Sequence, residues 1–280
     1  MITTTGEVPT IEPDTGEELA GALRRASNAR QSIVIRGAGT KTDWGRRPGR
    51  VDAVLSTRRL NRVLAHQHGD LTATVEAGAT LGDVNAALAR HGQCLPLDPP
   101  FADRATIGGI LATNDSGPLR HRFGTPRDLV IGVQLATVEG ALAKAGGQVV
   151  KNVAGYDLSK LVCGSFGSLA AIVSATFKLT PLPSASKTIA VNVSDVDTLG
   201  QIVRDVMSSQ LEPIAFEIAV STAPAAADVS AAGTAGSAAL QGCRDPAVRV
   251  AAERRRCAGR AGTGVAIGEE QPDHGDRWRC

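Results

Sequence analysis

Hydrophobic patterning stops at Ser221, and that boundary limits what the chain can fold into more than any single motif before it. The 59 residues from Thr222 to Cys280 hold 15 Ala, 8 Gly, 8 Arg and no Lys, with seven large apolar or aromatic residues among them. So few large apolar side chains cannot bury enough surface to offset ordering entropy, and residues 222–280 are expected to be largely disordered. Three origins fit this segment: a natural linker-like extension, an Arg-rich nucleic-acid arm, or an out-of-frame translation of a GC-rich gene. Its seven acidic residues nearly cancel the eight arginines, which argues against the arm. The abrupt loss of pattern favours the out-of-frame reading, which translating the other two frames decides.

Ahead of the boundary, helix and strand signals alternate. Thr15 and Glu18 suit a capping box, and Leu19 and Leu23 lie one turn apart, so a helix is expected over 15–29. Strands are expected at 31–36, 51–56, 72–76, 128–137, 146–152 and 168–183. TLGDVNAALARHG reads as a helix with Leu81, Val84 and Leu88 on one stripe. Residues 186–220 read strand, helix over 196–208, strand, which is half of an α+β unit. The expected organisation is a flexible N-terminus at 1–14, an α+β domain of two subdomains at 15–183, a partial α+β cap at 184–221, and the tail at 222–280.

The composition bounds the function. At 42% apolar and 21% charged the chain is globular, and a formal charge of +2 gives no argument for nucleic acid. No apolar run approaches the roughly 18–20 residues of a membrane helix, and MITTTGEVPTIEPDTGEE lacks the basic start and apolar stretch of a signal peptide. A soluble, cytoplasmic protein is therefore expected, with any membrane association made through partners. The five cysteines, at 94, 163, 243, 257 and 280, form no CxxC pair, so no zinc or iron–sulfur site is expected from them. His66 and His68 are spaced like neighbours on one strand face but read as a solvated loop, and no metal site is expected.

Small residues concentrate in three places: 37–42, 106–117 and 151–167. The first follows a strand as GAGTKT. It lacks the third glycine of GxGxxG, the DWGRRPGR that follows breaks a helix, and no GKS or GKT ends it, so neither a Rossmann fingerprint nor a P-loop fits. What remains is a strand-to-loop turn with consecutive N–H groups, a hydroxyl at Thr40 or Thr42, and cations at Arg36 and Lys41, which suits a pyrophosphate. The second, DPPFADRATIGGILATNDSG, and the third, KNVAGYDLSKLVCGSFGSL, again leave backbone open to close approach. Together the three would serve one elongated ligand with a diphosphate in its middle. For Asp157, a helix N-cap before LSKL competes with a cofactor contact, and for Tyr156 a core position competes with one.

RGAGTKTDWG, PPFADRATIGGILATNDSGPLRHRFGTPRD and GGQVVKNVAGYDLSKLVCGSFGSL, in this order, resemble the FAD-binding domain of the vanillyl-alcohol-oxidase or PCMH type. Within that family the chain is similar to the FAD-binding subunits of bacterial glycolate oxidase, over about residues 15–220. The resemblance implies two α+β subdomains clasping an extended FAD. It places Gly37, Ala38, Gly39, Thr40 and Lys41 at the pyrophosphate. Thr106, Ile107, Gly108 and Gly109, with Ala112, Asn114 and Gly117, fall in a second cradle whose amides approach the diphosphate and flavin. Lys151, Asn152, Gly155, Tyr156 and Asp157 fall in a third, and Ile172 on a strand edging the cofactor.

Two departures matter. Relatives carry a glycine where Ala170 stands, so its methyl is expected to crowd that turn. No histidine adjoins GAGTKT, where relatives with covalently attached flavin place one, so noncovalent FAD is expected. The resemblance also implies work beside a catalytic flavoprotein subunit and an iron–sulfur subunit, on a small 2-hydroxy acid such as glycolate or D-lactate. No catalytic residue can be nominated, because 186–221 holds no His or Arg cluster. A flavin-free structural subunit or truncated remnant, and a stand-alone FAD-linked dehydrogenase of another substrate, are the alternatives.

Overall fold

The computed structural model describes residues 8–46, 48–147, 156–193, 195–220 and, as backbone, 248–255. It is an α+β fold built around three sheets and a short two-stranded one. The first sheet is parallel. β1 (Thr10–Ile11) is followed by helix α1 (Gly16–Asn28), then β2 (Ile33–Arg36) and β3 (Ala53–Ser56), in the order β1-β3-β2. α1 starts where its cap signal stands: Thr15 Oγ1 accepts the Glu18 N–H at 3.1 Å, and Glu18 Oε2 accepts the Asp14 N–H at 2.9 Å. Its buried stripe of Leu19, Ala20, Ala22, Leu23 and Ala26 covers this sheet and meets Leu55, Leu60, Ala136, Ala171 and Val173.

The second sheet is antiparallel. It is made by β4 (Val63–Gln67), β5 (Thr72–Glu76), β7 (Val130–Ala136), β8 (Leu142–Gly146) and β9 (Ala171–Lys178), in the order β4-β5-β9-β7-β8. Between β5 and β7 run α2 (Leu81–Ala89), β6 (Gln93–Cys94), α3 (Ile107–Thr113), α4 (Arg120–Phe123) and α5 (Pro126–Leu129). α6 (Leu158–Val162) precedes β9, and β10 (Thr180–Pro181) pairs with β6. Leu81, Val84 and Leu88, the stripe legible in the sequence, are all buried in the larger core with Ile107, Ile110, Leu111, Val133 and Phe177. β9 holds the centre of the sheet, and all its residues but Lys178 are buried.

The third sheet is β11 (Ser186–Val193), β12 (Ala215–Val220) and β13 (Val248–Arg255), accompanied by α7 (Val196–Ser208), whose N-cap Asp195 accepts the Thr198 N–H at 2.7 Å. Among the described residues, no helix is long and apolar enough to cross a membrane.

Several expectations are corrected. Val248–Arg255 lies in the segment expected to be disordered, yet it pairs along its full length with β11 and also with β12. The low apolar content averaged over 59 residues hid the local Val248-Arg249-Val250 alternation. The N-terminus expected to be flexible supplies β1, with the Val54 N–H donated to Pro9 O at 2.9 Å. The strand expected over 146–152 instead ends at Gly146, where φ is +74° and a Cβ would stand 2.1 Å from Ile131 O; residues 148–152 lie outside the described residues. β4 and the short helices α3 to α5 carry too little periodicity to be read from sequence.

Candidate functional site

The first small-residue cluster is the loop leaving β2. Gly39 holds φ at +77°, and the Thr42 hydroxyl closes the turn by donating to Gly39 O at 3.2 Å. The N–H groups of Gly37, Ala38, Gly39, Thr40 and Lys41 meet no acceptor among the described residues. Five consecutive free donors on a tight loop form a concave site for an anion. A cavity of about 250 Å³ opens beside them, lined by Arg36, Gly37, Gly39, Thr42, Ser56 and Arg58 among others. Neither Arg36 nor Arg58 has a carboxylate partner among the described residues, so both charges are available to what enters.

The second cluster closes directly onto the first. A Cβ on Gly37 would lie 2.1 Å from Thr106 Oγ1, which explains why this position is glycine. Thr106 is buried at the start of α3 but does not cap it with its hydroxyl. Lys41 Nζ reaches across to Asp115 Oδ2 at 2.8 Å, both side chains less than a tenth exposed. The contact is ionic and not an aligned hydrogen bond, so both atoms keep unused hydrogen-bonding capacity in a buried place. Trp44 lies over the same ammonium, 5.8 Å from it.

The expected roles inside this cluster divide. The Ile107 and Gly108 N–H groups are already donated to Ala79 O and Ala77 O at 2.9 and 2.8 Å, so they are not open to a diphosphate. Gly108 is required by packing, because a Cβ there would sit 2.8 Å from that of Ala77. Gly109 keeps its N–H free among the described residues. Gly117 serves a loop lock: its N–H and that of Leu119 donate to the two Asp98 oxygens at 3.0 and 2.8 Å. Burial pushes the Asp98 carboxyl above its ordinary pKa, against these two bonds. Asn114 ends α3 in the left-handed region, and its Oδ1 accepts the Arg127 N–H at 3.1 Å.

Of the third cluster, Lys151, Asn152 and Gly155 lie outside the described residues. Tyr156 is 94% exposed and so is no core aromatic. Asp157 is the N-cap of α6, accepting the Lys160 N–H at 3.1 Å and the Ser159 hydroxyl. The cluster's end reaches the second one: Gly164 N–H donates to Leu111 O at 3.0 Å and Phe166 N–H to Ala112 O at 2.8 Å. Gly167, at φ +75°, comes against Ile35 of β2. Phe166, Leu169 and Ala171 with Ile33, Ile35 and Val138 form an apolar groove of about 270 Å³. Ile172 lies under this wall, 6% exposed in the larger core, and not at its surface. The Ala170 methyl is buried in the same core.

The Ser159 hydroxyl first, then the Lys160 N–H, holds the Asp157 carboxyl below its ordinary 3.8. A depressed carboxylate contributes stability that is present above its unfolded pKa and lost as pH falls through the lower folded value. An NMR titration of the Asp157 carboxyl is expected to show a midpoint under 3.8, and Ser159→Ala is expected to raise it.

Sequence reasoning missed Asp115, Asp98 and Arg58. Asp115 could have been found as the only acid between Ile107 and Gly117. Arg58 carried no signal, because it enters from the residues after β3. Both cavities border β2, one at its end and one along its length, so the three clusters meet on one strand.

A family model described as "FAD binding domain" matches residues 9–146. Glycolate oxidase subunit GlcD of Bacillus subtilis (strain 168) is 34% identical over 207 residues, which is 74% of this chain and 44% of that protein. Glycolate oxidase subunit GlcE of Escherichia coli (strain K12) is 33% identical over 204 residues, 72% of this chain and 57% of that one. D-lactate dehydrogenase of Archaeoglobus fulgidus is 32% identical, covering 74% and 46%. The chain thus spans about half the length of these curated relatives. Among solved structures, alkyldihydroxyacetonephosphate synthase shares the fold at a TM-score of 0.65 and 23% identity, over 75% of this chain and 41% of that one. Through residues 9–146 and the loops they fold, the chain belongs to the family of FAD binding domains of the PCMH type.

Proposed function

We propose that this chain is the FAD-binding part of an oxidoreductase acting on a small 2-hydroxy acid, working as one component beside a catalytic flavoprotein subunit and an iron–sulfur subunit. The observation that carries the reading is the row of five free N–H groups from Gly37 to Lys41, closed against Thr106 and Asp115. A buried diphosphate needs several donors at once, since an unpaired buried charge is very costly. The loop amides, the Gly109 N–H and the unused protons of Lys41 provide them, and Arg36 and Arg58 add positive charge. The residues present therefore fit the cofactor. The apolar groove of Ile33, Ile35, Phe166 and Leu169 suits an aromatic ring and keeps water from it.

When bound, FAD supplies the two-electron acceptor for the hydride leaving a 2-hydroxy acid. The chain's own residues bind and orient. Among the described residues of 186–220 the cationic side chains are few, and nothing there forms a substrate clamp. The partner subunits are inferred from relatives named as glycolate oxidase subunits, and the substrate class from those and from the D-lactate dehydrogenase.

The purified chain, given FAD and desalted, is expected to keep one flavin with absorption near about 450 nm and to release it on denaturation, as a noncovalent cofactor does. A colourless protein that takes up no FAD overturns the reading and leaves a flavin-free structural subunit. Co-purified with its neighbours, the chain is expected to support glycolate or D-lactate oxidation.

A further inference from the structure

The fold brings together three histidines that the sequence keeps apart. His66 stands on β4, His68 in the turn after it, and His91 in the turn after α2. The His66 and His68 rings meet edge-on with centroids 4.2 Å apart, His68 and His91 stack at 3.8 Å, and His66 and His91 are 5.3 Å apart. One ring nitrogen of each lies within 4.8 Å of the others. Burial does not explain the cluster, because His68 and His91 are exposed and His66 is half-buried.

A second observation concerns His66 alone. Gln93, 8% exposed on β6, donates its amide N–H to His68 O at 2.9 Å, which fixes the amide's orientation. Its Oε1 therefore faces His66 Nε2 at 2.8 Å and can only accept, so His66 carries its proton on Nε2. The lone pair is left on Nδ1. A ring N–H held by a carbonyl oxygen is the arrangement that orients metal-binding histidines. β6 is itself held by its pairing with β10, so the orienting group is fixed.

We infer that His66, His68 and His91 form a three-imidazole site for a divalent transition metal ion of the zinc, nickel or cobalt class, with Gln93 as a positioning residue. Imidazole nitrogens without a carboxylate suit these ions and not calcium or magnesium. Tetrahedral coordination at about 2.0–2.1 Å per nitrogen needs ligand atoms about 3.3 Å apart, a closure the two exposed rings make by rotamer changes. Three protein ligands leave further positions open to water or another donor. None of the four residues borders the two cavities beside β2, so the site is separate from the flavin-binding reading.

The test is a titration of the full, reduced chain with Co(II), read by its visible absorption. One equivalent is expected to bind with an all-nitrogen spectrum, and alanine at His66, His68 or His91 is expected to weaken it at least about tenfold. Gln93→Leu is expected to lose about 10- to 100-fold, and Gln93→Glu, which can still accept from Nε2, to recover most of it. His121→Ala, an exposed histidine elsewhere, should leave binding unchanged. The inference is overturned if the parent binds no Co(II), or if the triple alanine variant, folded by circular dichroism, binds it as the parent does.

Discussion

Lys41→Ala is expected to lower the free energy of unfolding by about 3–5 kcal/mol, because it leaves Asp115 as a buried, uncompensated carboxylate. The pair is isolated from water, with side chains 6% and 9% exposed, so solvent cannot take over the role of the lost partner. Replacing both at once, as Lys41→Met with Asp115→Leu, is expected to recover most of the loss, since an apolar pair of similar volume often matches a buried ion pair. The two variants separate folding from binding. The double variant is expected to unfold near the parent's midpoint and still hold FAD more weakly, because it lacks the ammonium protons that face the loop. Urea unfolding of the apoprotein gives the first quantity and flavin fluorescence titration the second. A Lys41→Ala protein as stable as the parent would mean that the pair is open to solvent.

Gly37→Val is expected to yield a folded protein that loses FAD on desalting. A Cβ at this position would stand 2.1 Å from Thr106 Oγ1 and 3.0 Å from Thr106 Cβ. Thr106 is buried and β-branched, so it has little room to turn away. Overpacking of this kind costs about 1–3 kcal/mol. The loop can release that strain by moving away from α3, which spreads the donors that must converge on one anion. Charged to binding, the same energy is about a 5- to 150-fold loss of affinity. Combining Gly37→Ala with Thr106→Gly restores the space and is expected to recover part of the affinity relative to Gly37→Ala alone. Equal FAD affinity in Gly37→Val and parent would contradict the closure of the two clusters.

Much of the fold was legible because its signals are local. The α1 cap, the Leu81, Val84 and Leu88 stripe, the strand at Thr72–Glu76 and the helix at Val196–Ser208 each follow from a pattern within a few residues. The site was legible only as three clusters of small residues, since glycine marks close approach without naming what approaches. Gly37 makes room for Thr106, Gly108 for Ala77 and Gly117 for Asp98, so part of the glycine pattern serves the protein's own packing. The distinction lies in the hydrogen bonds, where Ile107 and Gly108 have spent their N–H groups and the 37–41 loop has not. Lys41 with Asp115, and the meeting of His91 with His66 and His68, depend on contacts between distant elements that no spacing rule encodes.

The third sheet has an assembly order built into it. Its outer strands, β11 and β12, touch β13 and not each other, yet β13 is the last of the three to leave the ribosome. Until it arrives, two nascent strands wait with every inward-facing amide and carbonyl unsatisfied, the condition under which a growing chain recruits chaperones or pairs with a neighbour's strand. Translation speed across the stretch joining β12 to β13 therefore sets how long each new molecule stays vulnerable.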